Sequence, residues 1–433
     1  MKYATIDSKL FIENRKKFSS QLLPDSIAIF YSNDEMPRSG DQNFQFRQQP
    51  DLFWLTGIDQ ERTIFVTTPN HPLTEYRELL FIRKTNEHIA VWEGHKYTKE
   101  EARAASGIQS VYWEEEFSTL LPVLMHHSKN VYLNLNENDR FATEVEYRDE
   151  RYGKALRAKY PDHGYQRSAI LMARLRAVKS EPEINLLREA IDITNKAFHR
   201  VMNMLQPGVM EYEIEAEIIS TFIRNRANGH AYYPIIASGG SACVLHYTEN
   251  NKECKNGDLI LMDFGAEYAN YAADMTRTIP VNGKFSSRQK DVYNSVLHVM
   301  REATKLLVVG NTIPRYHEEV GKIMEEELIK LGLLNAAEVK KQDPKSPLYK
   351  KYFMHGTSHF LGLDVHDIGN RYMPMEAGNV FTCEPGIYIP EENIGIRIEN
   401  NILLTEKGPV DLMAYIPVEV NDIEEIMAKQ MVS

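Results

Sequence analysis

Four carboxylates in the second half of the chain, Asp263, Asp274, Glu384 and Glu399, fall in two stretches built alike. GDLILMD (257–263) and GNVFTCE (378–384) align without gaps, 121 positions apart: glycine, a polar residue, apolar residues, then an acid. Each is followed by a second strand-like run with another acid, YAADMTRTIPV (271–281) and GIRIENNILLT (395–405). Paired antiparallel around a turn near Tyr268 and Ala269, the first two runs would set Asp263 directly opposite Asp274. Taken alone, those two acids would be one solvated carboxylate and one ion pair, with Arg277 at hand. Two matched hairpins with inward acids change the electrostatics. Four carboxylates at one apolar point survive only if protonated or bridged by cations, and two divalent ions would balance them.

Histidines supply the remaining donor. Three of the chain's 14, His355, His359 and His366, lie within MHGTSHFLGLDVHD (354–367), together with Asp364 and Asp367. One imidazole added to four carboxylates makes an oxygen-rich set suited to manganese, cobalt, iron or zinc. Paired ions of that kind hold a hydroxide and polarise a carbonyl, the chemistry of hydrolysis. Spacing alone leaves open whether His359 and His366 share a metal. A helix would put them on one face and a strand on opposite faces, and Leu361-Gly362-Leu363 suits neither. Arg397 shares a strand face with Glu399 and could orient the acids as a fixed cationic fork.

The elements that must position these groups are legible as α+β. Ser180, Pro182 and Glu183 read as a capping-box helix start. Ile184, Leu187, Ile191, Phe198, Val201 and Leu205 then recur at helical spacing up to Pro207-Gly208. Further amphipathic helices fit 210–227, 287–308 and 314–332, packed on a largely antiparallel sheet. Upstream, SIAIF, RTIFVTT, ELLFIRK, HIAVWEG and NVYLNL read as strands of an α/β domain. We place the boundary between an N-terminal domain, 1–174, and a catalytic domain, 175–433.

Bulk properties narrow the classes. At 433 residues two domains are expected. A net charge of −11 argues against nucleic acid or an anionic membrane as partner. No apolar run reaches the ~18 residues of a membrane helix, and the N-terminus lacks a signal-like core, so a cytoplasmic location is expected. Cys243, Cys254 and Cys383 form no C-x-x-C pair, and Cys243 and Cys383 read as small buried residues. His317-Glu318-Glu319 begins like a zinc-protease motif, but Gly321 holds the closing position, leaving a helix surface.

LHYTEN, MDFGAEYANYAADMTRT, MHGTSHFLGLDVHD, EPGIY and GIRIEN, in that order, resemble the motif set of the pita-bread metallopeptidases. RAVKSEPEINLLREA and FRQQPDLFWLTG look most like the aminopeptidase P branch, which removes a residue preceding proline. The resemblance implies a C-terminal pita-bread domain with an internal pseudo-repeat and two divalent ions, manganese first, with cobalt, zinc or iron as alternatives. It implies metal ligands Asp263, Asp274, His359, Glu384 and Glu399, with Asp274 and Glu399 bridging. It separates the histidines: His359 as ligand, His366 facing the scissile bond. His246 would steady the tetrahedral intermediate, Glu384 would also move a proton, and Arg397 completes the catalytic set. His355 and Tyr388 are the substrate-side candidates. Peptides with proline second, and a homo-oligomer (dimer or tetramer), are the expected partners. Prolidase, restricted to dipeptides, is the alternative, and a non-catalytic binding protein a remoter one. IYIPEENIGIRI, between Glu384 and Glu399, is shorter than in many relatives.

Overall fold

The computed structural model describes residues 3–138, 140 and 143–430. They form two compact units, Tyr3–Arg176 and Ala177 onward; the sequence pointed to 174/175.

In the first unit six strands form one sheet: β1 (Ser26–Tyr31), β2 (Ile64–Thr67), β3 (Glu78–Ile82), β4 (Ser110–Trp113), β5 (Asn130–Leu133) and β6 (Gly164–Arg167). Their order is β4-β3-β2-β1-β5-β6. The β1–β2 and β2–β3 ladders are antiparallel, and the other three are parallel. Every residue of β1 is buried, as befits a strand covered on both faces. HIAVWEG is not the strand its apolar alternation suggested but a short helix, Glu87–Glu93. The Asn86 side chain caps its N-terminus by accepting from the Ile89 N–H, and Gly94 ends it at a φ of 77°. No residue of this helix is buried, and Val91 and Trp92 are 81% and 78% exposed. Alternation without a sheet neighbour to pair with does not make a strand, and the local caps decide.

Helices and antiparallel ladders make up the second unit, as the α+β reading requires. Helix α1 (Glu181–Met204) starts where Glu183 accepts from the backbone N–H and the hydroxyl of Ser180. Ile184, Leu187, Ile191, Phe198 and Val201 are all buried along one face, each contributing about 1.5–3 kcal/mol of transfer free energy. Helices α2 (Glu211–Arg224), α3 (Ser287–Leu306) and α4 (Ile313–Lys330) follow within a turn of their expected ends.

The ladders around the carboxylates are built from β7 (Ile235–Ser238), β8 (Leu259–Phe264), β9 (Ala266–Tyr268), β10 (Tyr271–Ala272) and β11 (Met275–Pro280). After them come β12 (Val380–Cys383), β13 (Gly386–Ile389), β14 (Ile394–Arg397) and β15 (Asn400–Thr405). The first hairpin turns one residue later than expected. Ala269 and Asn270 both hold positive φ, 50° and 65°, between the paired Tyr268 and Tyr271. Asp263 therefore pairs with Thr276 and not with Asp274. A two-residue shift preserves the face, so the two aspartates stay neighbours on a diagonal. In the second hairpin the pairs Cys383–Asn400 and Gly386–Arg397 set Glu384 across from Glu399.

Cys254 and Cys383 are buried, whereas Cys243 is half-buried, its thiol directed at the Ile394 carbonyl; all three are unpaired. Among the described residues no helix is long and apolar enough to cross a membrane.

Gly265, just past Asp263, lies where the two legs of the hairpin cross. A Cβ there would sit 1.7 Å from the Ala273 carbonyl oxygen, a backbone atom that cannot swing aside. Gly265→Ala should lower unfolding free energy by about 3 kcal/mol, read as a reduced urea midpoint relative to wild type.

Candidate active site

The two hairpins meet through their inner strands, and three rungs of polar contacts join them. At the first, the Asn401 amide donates to the Asp274 carbonyl (2.5 Å) and its oxygen accepts from the Asp274 N–H (3.3 Å). At the second, Thr276 donates its hydroxyl to Glu399 Oε2 (2.7 Å), and the Glu399 N–H donates to the Thr276 carbonyl. At the third, Thr278 donates to the Arg397 carbonyl and accepts from the Arg397 N–H. Asp274, Thr276 and Thr278 alternate along one strand, and Arg397, Glu399 and Asn401 along the other, so each polar set faces its counterpart. Arg277 points the other way, fully buried, and donates to the Glu399 carbonyl (2.7 Å), the Asn400 side chain and the Pro417 carbonyl.

This lock brings the five expected ligands together. Asp274, His359 and Glu399 offer donor atoms that all lie within 4.8 Å of one another. His359 Nε2 stands 3.5 Å from Asp274 Oδ2 and 3.5 Å from Glu384 Oε1, so it reaches an acid of each hairpin. Its Nδ1 is held by the Phe360 carbonyl at 2.9 Å, the outer contact a metal-binding imidazole needs. Asp263 joins through Tyr232, whose hydroxyl lies 2.6 Å from Asp263 Oδ1 and 2.5 Å from Asp274 Oδ1.

Charge balance is the test of whether these residues suit metal. Burial, then the neighbouring acids, push Glu399 well above the usual carboxylate range. Glu384 is pushed up to about 7 by burial first, with Asp274 and Asp263 adding to it and His359 and Arg397 opposing. Asp274 is raised too, chiefly by burial. Without an added cation Glu399, Glu384 and Asp274 each release their proton at higher pH than an exposed carboxylate would. Two donors bound to one ion at ~2.1 Å sit ~3–3.5 Å apart, which is the spacing of His359 Nε2 from its two carboxylates. The donor set and its uncompensated charge fit divalent ions.

Arg397 reaches the acids directly. Nη2 donates to Asp263 Oδ2 (2.6 Å), Nε to Thr276 (3.1 Å) and Nη1 to the Tyr388 hydroxyl (2.8 Å). The chain of contacts continues from Tyr388 to His355 Nε2 (2.8 Å), and from His355 Nδ1 to the Gly356 carbonyl (2.8 Å). Burial lowers His355 to about 4, with Arg397 assisting. A neutral imidazole with its proton on Nδ1 satisfies every partner in this chain. Tyr388 is 1% exposed, with its hydroxyl held between Arg397 and His355. His366 is exposed, its ring edge-on to that of His359 at 4.4 Å. His246 lies exposed on the turn after Cys243. His317 is more than helix surface: its Nε2 accepts from the Ser358 N–H at 3.3 Å, on the histidine-bearing loop.

The family model "Metallopeptidase family M24" matches residues 185–406, and "Aminopeptidase P, N-terminal domain" matches 11–132. The chain belongs to metallopeptidase family M24. Within the family, the Xaa-Pro aminopeptidase of Haemophilus influenzae is 34% identical over 98% of both chains. The structure of Pseudomonas aeruginosa aminopeptidase PepP superposes with a TM-score of 0.89 at 30% identity, covering 99% of each chain. Zinc-substituted Escherichia coli aminopeptidase P in complex with product gives 0.87 at 32% identity, again covering 99% of each. The pita-bread architecture expected for the second unit of this M24 chain is thereby established.

Sequence reasoning passed over Tyr232, Thr276 and Asn401. Strand alternation from Asp274 and Glu399 carries a signal for the last two. Tyr232 carries none, since it precedes β7 in an irregular stretch and reaches the acids only because Ile235 pairs with Asp263.

Two outcomes follow for the M24 site. Tyr232→Phe removes the shared donor of Asp263 and Asp274 and should weaken metal binding about 10–100-fold, measured by chelator competition. In metal-free protein, Glu384 keeps its proton to about pH 7, whereas in the unfolded chain it ionises near 4.3. The folded state therefore binds more protons between those values, and stability falls as pH rises through that window. Glu384→Gln should flatten this part of the Tm–pH curve of chelator-treated protein.

Proposed function

We propose that this chain is a metallo-aminopeptidase that removes the N-terminal residue from peptides with proline in second position. The observation that carries the reading is a cluster in which Asp274, His359 and Glu399 offer donor atoms within 4.8 Å of one another, Glu384 reaches His359 at 3.5 Å, and Asp263 shares the Tyr232 hydroxyl with Asp274. A binding protein of this fold would have no use for that buried charge. Similarity along both units to Xaa-Pro aminopeptidases, including the N-terminal domain of aminopeptidase P, favours this substrate class over the dipeptides of prolidase.

Asp263, Asp274, His359, Glu384 and Glu399 would hold two divalent ions, manganese in our reading, with cobalt, zinc or iron as alternatives. When bound, the ions supply Lewis acidity and an activated water at neutral pH. The residues of the chain do the rest. Arg397 holds one oxygen of Asp263 while Tyr232 holds the other, so that carboxylate cannot rotate. Thr276 holds one oxygen of Glu399. Glu384 takes the proton of the attacking water and passes it to the departing nitrogen. That transfer matters because the Xaa-Pro bond has no N–H and its leaving group is a secondary amine. His366, exposed beside His359, contacts the substrate at the scissile bond, and His246 steadies the tetrahedral intermediate from the turn after Cys243. His355 and Tyr388 support the substrate side through Arg397. A cytoplasmic location accords with three unpaired cysteines, and the exposed Val91 and Trp92 offer apolar surface for a homo-oligomer.

With added Mn²⁺, purified protein should release the first residue from Xaa-Pro tripeptides and longer peptides. Cleavage of Xaa-Pro dipeptides alone would make it a prolidase, and no cleavage at any metal loading would remove the enzyme reading. His359→Ala should lose metal. His366→Ala should keep metal and lose roughly 10²–10³-fold in kcat, and equal metal loss in both variants would refute the division between them.

A further inference from the structure

Two pieces of the motif set have no part in the chemistry above: Lys179, in the stretch before α1, and Asp367, at the end of the histidine loop. They stand 188 positions apart, yet Lys179 Nζ lies 3.0 Å from Asp367 Oδ2, and each side chain is 1% exposed. A buried ion pair is a poor source of net stability, because both ions give up their water. What such a pair can do is select one conformation of the segments that carry it.

The surroundings show which conformation that is. Lys179 is anchored by its own N–H to the Gly378 carbonyl (2.8 Å), at the start of the strand leading to Glu384. Asp367 closes the loop on itself, its N–H donating to the Phe360 carbonyl (3.0 Å). Inside the closed loop, the Gly362 carbonyl accepts from the Ala272 N–H (2.8 Å), two residues before Asp274. The Leu361 N–H donates to the Val380 carbonyl (3.0 Å). There is no slack at the centre. A Cβ on Gly362 would lie 2.1 Å from Asp367 Oδ2 and 2.8 Å from Lys179 Cε. The loop thus touches both ligand-bearing hairpins, and the Lys179 ammonium sits at its middle. His366 is the residue just before Asp367, exposed and edge-on to His359. Between Leu361 and Asp367 the loop forms no helix or strand.

We propose that Lys179 and Asp367 are positioning residues: their buried ion pair fixes the closed 359–367 loop and, through it, the direction in which His366 meets the substrate. The inference rests on the assignment of His366 made above.

A double-mutant cycle with intact, metal-loaded protein tests it. Lys179→Met should lower kcat by about 10–100-fold, leave KM within about threefold, and keep metal content at the wild-type level. Added to His366→Ala, the same change should cost less than about twofold, because the group it positions is already gone. Costs that multiply in the double variant, or loss of metal from Lys179→Met, would show general support of the fold and overturn the proposal. Wild-type turnover in His366→Ala would remove the His366 assignment, and the inference with it, while leaving the metal site standing. If Lys179→Met does not fold, Asp367→Asn, which keeps an acceptor for the ammonium, enters the same cycle with the same criteria.

Discussion

Negative charge concentrated in a buried place is the constraint from which the rest of the second unit follows. Asp263, Asp274, Glu384 and Glu399 approach one another where water is largely excluded, and the side chains of Asp274 and Glu399 are almost wholly buried. Left alone, such a cluster would swell, take up protons, or break the fold. The protein counters it with one arginine, one imidazole and a set of neutral donors, and that supply falls short of the charge. Divalent ions make up the difference. The structural demand for a cation and the chemical demand for an activated water are then one demand, met at the same point.

Rigidity comes from how the donors are arranged. Each of the three rungs between the hairpins uses a side chain of one strand to engage the backbone or carboxylate of the other. An ordinary ladder between the strands would have fixed their spacing without holding the acids. The side-chain rungs do both, because Thr276 donates to the Glu399 carboxylate while Asn401 pins the backbone of Asp274 on both its N–H and its carbonyl. Arg277 reinforces the arrangement from behind. Its burial lowers its pKa from the usual arginine range, yet every donor that reaches the Glu399 strand and the C-terminal segment finds an acceptor. Arg397 carries the pattern outward to Tyr388 and His355, so the acid cluster, its arginine and the histidine loop form one connected network.

Much of this was legible in the residues. The gapless match of GDLILMD to GNVFTCE marks two equivalent hairpins because strand burial and a terminal acid impose the same order on both. The start of α1 at Ser180 was legible for a local reason, since the Glu183 carboxylate meets its partner three residues away. Where the reading went astray, the cause lay in competition between local and distant forces. HIAVWEG alternates like a strand, but none of its residues is buried, and Asn86 and Gly94 close it as a helix. The first hairpin turns one residue late because Ala269 and Asn270 take the positive-φ pair of a tight turn. No alternation rule could choose that register, since a shift of two leaves every side chain on its original face.

Composition and spacing by themselves determined that this chain has two units, that its second half repeats a hairpin with inward acids, and that those acids need a cation. These are short-range properties, set by periodicity, by capping and by the cost of like charges in apolar surroundings. Tertiary structure alone decided which groups complete the cluster. Tyr232 reaches two aspartates, Arg397 reaches Asp263 across 134 positions, and Lys179 reaches Asp367 across 188. Nothing local to any of these residues specifies its partner. Each contact exists because strand pairing and helix docking bring distant backbone together to within a side chain's length, and a sequence read in one dimension carries no measure of that distance.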